Sequence, residues 1–409
     1  MPHDRLSALL TSAAQDLDRR GTAKRRETVI RGVLPPSTDG VTGPRFLIVG
    51  QGDRPFLRMN ANNYLGMSLR AETATAEDTA VREFGTGPGA VRFIGGTWSP
   101  HVELEARLAS FHGRGAAMIY SSAYATVMGL LPSLITPETA VISDELNHNC
   151  IINAITLAKP AQKRIYRHLD MNQLAEQLEE VSRTCKRGLI VTDGIFSMRG
   201  DHAPSREIME IAHRFDGAFA ENLLVVVDDS HGVGAFGATG RGTEEYTDSS
   251  PPDLLIGTLG KAFGVNGGYV VGDPAILDYL RETSPFYIYS NPITPGEAAA
   301  ALAAVDLLDS GLGRDLLDHL RAMTARFEAG LKILGFETIP GEHPVVPLMV
   351  RDTDKTSALV AHLFQSGILA TGLNYPVVPR GEEEIRFQIS ADHTSADIDE
   401  ALAVLATFS

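Results

Sequence analysis

Six short apolar runs punctuate the middle of the chain: "AAMIYSS" (116–122), "TAVISD" (139–144), "GLIVTDGIF" (188–196), "NLLVVVDDS" (222–230), "DLLIGTLG" (253–260) and "GGYVVG" (267–272). Most end in small or acidic residues. Runs that are hydrophobic on both faces are what strands look like when both sides of their sheet are covered. Helical stretches lie between them. In "PHVELEARLASFHG" (100–113), Leu104, Leu108 and Phe111 fall at i, i+4 and i+7, and Gly113 supplies a stop. From about residue 60 to 295 this alternation predicts a largely parallel sheet with helices on both faces.

The flanks read differently. The first sixty residues predict a polar helix and then, in "RFLIVGQGDRPFLRMN" (45–60), two short strands around a Gln-Gly-Asp turn. Beyond residue 296 an Ala/Leu-rich helix leads to a second αβ set, "PVVPLMV" (344–350), "GILATGL" (367–373) and "EIRFQIS" (384–390). The set closes on a helix whose Thr394 and Asp397 have capping-box spacing. The expected organisation is an N-terminal segment (1–59), a large domain (60–295) and a small C-terminal α/β domain (296–409).

Composition narrows the function classes. With 36 basic against 51 acidic residues in 409, the net charge of −15 argues against nucleic acid or an anionic membrane as a partner. No stretch approaches the roughly 18 uninterrupted apolar residues of a membrane span, and Asp and Arg interrupt every apolar run near the start. Two cysteines, Cys150 and Cys185, make neither a disulfide framework nor a four-cysteine zinc site, so reduced thiols, no metal and a cytoplasmic location are expected.

Chemistry concentrates at the strand ends, where ligands bind in open α/β sheets. Lys261 follows "LLIGTLG"; a lysine there is either a buried ion pair or an amine suited to Schiff-base formation. Asp228 and His231 follow "LLVVV", and could pair with a cationic ring nitrogen and an adjacent phenolic oxygen, or merely shape a turn. Ser122, Ala123 and Tyr124 open a helix whose free N–H groups could hold a phosphate, or Ser122 is an ordinary cap. His148 and Ser197 follow two further strands. The match of Gly232-Val-Gly234-Ala-Phe-Gly237 to a dinucleotide fingerprint is set aside, because "ATGRGTEEY" after it is not an amphipathic helix that could receive pyrophosphate.

Taken in order, "NNYLGM", "VRFIGGTWSPHVELEARLASF", "SDELNHNCII", "TDGIFSMRGD", "VVVDDSHGVGAFGATGRG", "GTLGKAFG", "YIYSNPITP" and "YPVVPRGEEEIRFQISADHT" closely resemble the α-oxoamine synthases. These are pyridoxal-phosphate enzymes of fold type I, the aspartate-aminotransferase-like fold. The resemblance implies a mostly parallel seven-stranded sheet in the large domain. It also implies Claisen-type condensation of a small amino acid with an acyl-CoA or acyl-carrier-protein thioester, with or without decarboxylation. An aminotransferase or lyase of the same fold is the alternative, and a ligand-sensing protein a more distant one.

By the same resemblance, Lys261 would hold the pyridoxal 5'-phosphate and shuttle the Cα proton. Asp228 would face its ring nitrogen, His231 its phenolic oxygen, and His148 its ring face, with Ser197 nearby. Ser122, Ala123, Tyr124, Thr258 and, from the other subunit of a homodimer, Ser290 would hold the phosphate. Asn62 and Arg386 would take the amino-acid carboxylate. Departures from the family pattern at Trp98, Pro100, Asn291-Pro292 and Asn374 imply a substrate specificity of its own.

Overall fold

The computed structural model describes residues 3–20, 22–25, 27–375 and 377–408, so Pro376 in the "YPVVPRG" stretch lies outside the described residues. The described chain divides into two units, 62–324 with 341–344, and 3–61 with 325–340 and 345–408. Both expected boundaries therefore move. The N-terminal segment joins the C-terminal unit, and the break expected at 295/296 falls instead within the helix Gly311–Ile333. The reason is packing: the helix Pro295–Leu308 lies against Ala71–Phe84 and Ser99–Phe111 of the large unit, burying its alanine-rich faces there.

The large unit is built on a seven-stranded sheet in the order Ala116–Tyr120, Gly268–Gly272, Leu254–Thr258, Leu223–Asp228, Arg187–Asp193, Thr139–Asp144, Gln162–Tyr166. All strands run parallel except 268–272, which is antiparallel to both neighbours. The six apolar runs of the sequence are six of these strands. Leu189, Ile190, Val191, Val225 and Val226 are almost wholly buried, as strands covered on both faces require. Each such side chain contributes about 1.5–3 kcal/mol by leaving water. The seventh strand, "QKRIY" (162–166), alternates exposed and sheltered positions at the sheet edge, where Lys163 and Arg164 discourage further pairing.

Leu104, Leu108 and Phe111 are buried along one face of Ser99–Phe111, as their spacing predicts. Trp98 precedes that helix, packs against Phe84 and donates its indole N–H to the Pro88 carbonyl at 3.1 Å.

The second unit carries two four-stranded sheets. One pairs Ile30–Leu34, Arg45–Ile48, Pro55–Arg58 and Ile368–Leu369; the other pairs Glu337–Thr338, Val345–Met349, Glu384–Gln388 and Thr371–Leu373. "GILATGL" thus supplies two short strands to different sheets. The predicted capping box forms: Thr394 Oγ1 accepts from the Asp397 N–H, and Asp397 accepts from the Thr394 N–H at 2.8 Å. The same carboxylate accepts from the Gly43 N–H at 2.9 Å and from Arg45 at 2.7 Å, fastening the first strands of this unit to its last helix. No helix among the described residues is long and apolar enough to cross a membrane.

Candidate active site

Parallel strands deliver their carboxyl ends to one edge of the sheet, and a pocket lies there with an empty volume of about 360 Å³. It is lined by Ala123, Tyr124, His148, Ser197, Asp228, His231 and Lys261, seven residues singled out in the sequence, with Cys150, Asp193, Ile195 and Ser230. Side chains separated by up to 138 positions are brought together because they lie at or just after the ends of five strands of one sheet.

The chain leaves strand 116–120 through an extended Ser122 and enters the helix Ala123–Leu134. Ser122 Oγ accepts from the Ala125 N–H at 3.0 Å, so this hydroxyl is the helix cap. The capped helix still presents the positive end of its dipole at Ala123 and Tyr124. His148 caps the next helix, Asn149–Ala158. Its Nδ1 accepts from the Cys150 N–H at 3.3 Å, and its own N–H donates to Asp193 Oδ2 at 2.9 Å. Burial lowers the His148 pKa, with Lys261 lowering it further against an opposing pull from Asp228, so its ring is neutral at pH 7.

Strand register sets Asp193 directly beside Asp228. Burial, reinforced by the neighbouring Asp228 carboxylate, raises the pKa of Asp193 well above the usual range. Two adjacent carboxyls in one buried place do not both ionise readily. Asp228 Oδ1 accepts from the Ser230 N–H at 3.1 Å. Lys261, half-buried, sits in the loop joining strands 254–258 and 268–272, which is closed by Leu259 N–H to Gly267 O at 3.0 Å and Gly264 N–H to Lys261 O at 2.9 Å. Thr258 braces the same loop, donating to Gly267 O and accepting from the Gly260 N–H, both at 3.2 Å.

Asp229, next to Asp228, has a different part. It is wholly buried and accepts from both the N–H and the hydroxyl of Thr243 at 2.6 Å. A Cβ at position 232 would lie 2.1 Å from its Oδ1, so Gly232 makes room for a carboxylate and not for pyrophosphate.

Thr258, Ser122 and Ser290 are not among the residues lining the pocket. Asn62 lies near it through Tyr64, whose hydroxyl is 3.4 Å from Asn62 Oδ1 and 2.8 Å from His231 Nδ1. Arg386 lies on strand Glu384–Gln388 of the other unit, half-buried and paired in register with Pro347 and Thr371. Sequence reasoning missed Tyr64, Cys150, Asp193 and Ser230. All four lie inside stretches already singled out, and Asp193 ends an apolar run as Asp228 does.

Residues 54–405 match the family described as aminotransferase class I and II. Over 388 residues the chain is 40% identical to the human mitochondrial 2-amino-3-ketobutyrate coenzyme A ligase, covering 90% of each chain. It is 39% identical over 349 residues to the 8-amino-7-oxononanoate synthase of Petrotoga mobilis, covering 85% of this chain and 86% of that one. Among solved structures, the serine palmitoyltransferase of S. paucimobilis with bound PLP–myriocin aldimine superposes with a TM-score of 0.85 at 26% identity, covering 99% of this chain and 96% of that one. The chain belongs to the class I and II aminotransferase family, with its fold type I architecture, and within that family to the α-oxoamine synthases.

Proposed function

We propose that the protein is a pyridoxal-phosphate-dependent synthase that joins the α-carbon of a small amino acid to the acyl carbon of an acyl-CoA or acyl-carrier-protein thioester. The thiol is released, and the carboxyl group of the amino acid is kept or lost as carbon dioxide. The observation that carries this reading is one pocket holding Lys261, Asp228, His148 and the opening of helix 123–134.

The residues fit the cofactor. An amine, a carboxylate, a neutral imidazole and a helix N-terminus match an aldehyde, a ring nitrogen, a ring face and a phosphate respectively. A further sign is Ser230 Oγ, which lines the pocket and is buried with no hydrogen-bond partner among the described residues. A group brought by a ligand would satisfy it. When bound, pyridoxal phosphate supplies an electron sink for charge developing on the amino acid's α-carbon.

The chain's own residues do the rest. Lys261 holds the aldehyde and then moves the proton at Cα. Asp228 keeps a proton on the ring nitrogen. Burial and the neighbouring Asp228 carboxylate raise the pKa of Asp193 well above the usual carboxylate range, which favours its neutral form beside Asp228. His148, neutral, offers its ring face without adding a cation beside Lys261. His231 donates to the phenolic oxygen, with Ser197 beside it. Ala123 and Tyr124 hold the phosphate with Thr258 and with Ser290 from a second copy, while Ser122 holds the helix turn that presents them. Asn62 and Arg386 take the amino-acid carboxylate, Arg386 through its two-pronged guanidinium. A homodimer with shared sites, working in the cytoplasm, completes the reading; there the buried free thiols Cys150 and Cys185 stay reduced.

The test is Lys261→Ala, assayed with a panel of amino acids and thioesters whose products are read by mass. The variant is expected to lose the visible cofactor band and turnover together. Full turnover without that lysine would refute the assignment, and the product mass tells whether the carboxyl group is retained.

A further inference from the structure

His168 stands outside the pocket, in the turn after strand 162–166, yet it is bound at both ring nitrogens. Nδ1 lies 3.1 Å from Asp144 Oδ1 and Nε2 lies 3.2 Å from Asp201 Oδ2. Ionised carboxylates only accept, so an imidazole hydrogen-bonded to one on each side carries a proton on each nitrogen. The two acids belong to different places. Asp144 ends strand 139–144 with its side chain fully buried, and it also accepts from the N–H groups of Leu146 and Leu169. Asp201 ends the loop that carries Ser197 to the pocket.

That loop is closed on itself. Ile195 bridges His202, Phe196 N–H donates to Asp201 O at 2.9 Å, and Gly200 N–H donates to Phe196 O at 2.8 Å. His168 is what ties the loop to the neighbouring strand end. Its ring also meets Phe196 edge-on, with centroids 4.4 Å apart at 87°. The turn is built at a cost, since Leu169 adopts φ 57°, a conformation disfavoured for a branched side chain. Asp144 holds that strained residue and the imidazole together.

We propose that His168 is a positioning residue: as a cation clamped between Asp144 and Asp201, it pins the Gly194–Asp201 loop and so fixes Ser197 at the rim of the pocket. Its importance for turnover rests on the reading of the pocket given above; the clamp itself does not. The other charged groups around the ring are Arg199, whose Nε donates to Asp201 Oδ2 at 2.8 Å, and Glu145, which accepts from the His168 N–H at 2.8 Å. Arg167 and Asp170 of the same turn pair with each other at 2.7 Å. Arg199 competes for Asp201 without a hydrogen bond to Asp144, so among the described residues His168 is the side chain that joins the two.

The sign of the pH dependence follows. Burial works against the charged ring, but its hydrogen bonds to Asp144 and Asp201 outweigh it and lift the pKa from 6.5 to about 9. The clamp is complete below the ordinary histidine pKa and is lost as pH rises through about 9.

The experiment uses the full-length holoenzyme, comparing the parent with His168→Gln, Asp201→Asn and the double variant. Trypsin cleavage after Arg199 is followed by mass at about pH 7.5 and about pH 9.5, on either side of the clamp's titration. Rates are normalised to a reference peptide. The parent should be cut about tenfold faster at the higher pH, the size expected for losing one charge-assisted hydrogen bond. His168→Gln should be cut fast at both, with kcat falling and KM for the amino acid little changed. The double variant should be no worse than either single one. Equal cleavage of parent and His168→Gln at both pH values overturns the proposal, as do additive effects in the double variant. If His168→Gln does not fold, Asp201→Asn takes its place: fast cleavage at both pH values supports the clamp, and cleavage like the parent's overturns it. Cleavage does not depend on which substrates are used, so failure of the Lys261 test leaves the clamp standing, and the reverse holds as well.

Discussion

The phenol oxygen of Tyr64 lies 2.8 Å from Nδ1 of His231, against 3.4 Å from Asn62 Oδ1. A hydroxyl can donate to a ring nitrogen or accept from it, so this contact biases which His231 nitrogen carries the proton. Tyr64→Phe removes this bias and leaves the imidazole free to choose either tautomer. A fall in kcat of about tenfold is expected, in line with one hydrogen bond of roughly 1 kcal/mol or a little more, together with a shifted cofactor band. Steady-state rates and the visible spectrum check it; no change in either would mean His231 needs no such partner.

Asp228 and Asp229 are neighbours in sequence with opposite duties, and two variants separate them. Asp228→Asn should lower turnover by about a hundredfold, typical of losing a proton-managing group, with little change in Tm. Asp229→Ala leaves both Thr243 donors without their acceptor inside the core and should cost about 3 kcal/mol. Burial, opposed by the Thr243 hydrogen bonds, raises the Asp229 pKa to about 7. The unfolded chain releases that proton near 3.8 and the folded chain holds it to about 7, so this group's stabilisation drains away as pH rises across that window. Thermal melts of the parent and Asp229→Asn over the window test it, the variant losing that decline.

Much of this is legible in the sequence. Doubly covered strands are continuous apolar runs, so six of the seven declare themselves. "QKRIY" does not, because an edge strand keeps its charges and its apolar content is small. The strand-end residues can be named from sequence, but not their register. That Asp193 lies beside Asp228, which raises its pKa, depends on how two strands 35 positions apart are aligned. The unit boundary is misplaced for a related reason. An alanine-rich helix such as Pro295–Leu308 has no marked polar face, and only its contacts say which unit it belongs to. Tyr64 escapes notice because an aromatic residue in "NNYLGM" reads as core, and it is fully buried; its hydroxyl is the functional part.

Gly268 tests how closely the sheet abuts the helix opening. A Cβ there would lie 2.3 Å from the Ala123 nitrogen and 2.4 Å from the Ser122 carbonyl carbon, both backbone atoms that cannot swing aside. Gly268→Ala should therefore push the turn at Ser122–Ala123 off strand 268–272, weakening cofactor binding at least about tenfold through overpacking of about 1–3 kcal/mol. Titration of apoprotein with pyridoxal phosphate measures this. Unaltered affinity would show that the turn does not hold the phosphate.

His112 is expected to weigh most on the acid limb of stability, its pKa being pulled furthest down. It is buried, with Nε2 2.9 Å from the Tyr269 hydroxyl and its ring edge-on to Phe111. Burial, aided by the nearby cations of Arg114 and Arg241, pulls its pKa from 6.5 down to about 3. The unfolded chain accepts a proton here as pH falls through 6.5, and the folded chain refuses it until about 3. Stability is therefore unaffected by this group above pH 6.5 and is lost on acidification, by at most about 1.4 kcal/mol per pH unit. His112→Gln keeps a polar group near Tyr269 but cannot titrate. Its Tm at neutral pH should be lower than the parent's, and the gap should close as the pH drops toward about 5, within the window between the two pKa values. Parallel acid limbs in the two proteins would show that another buried group dominates acid unfolding.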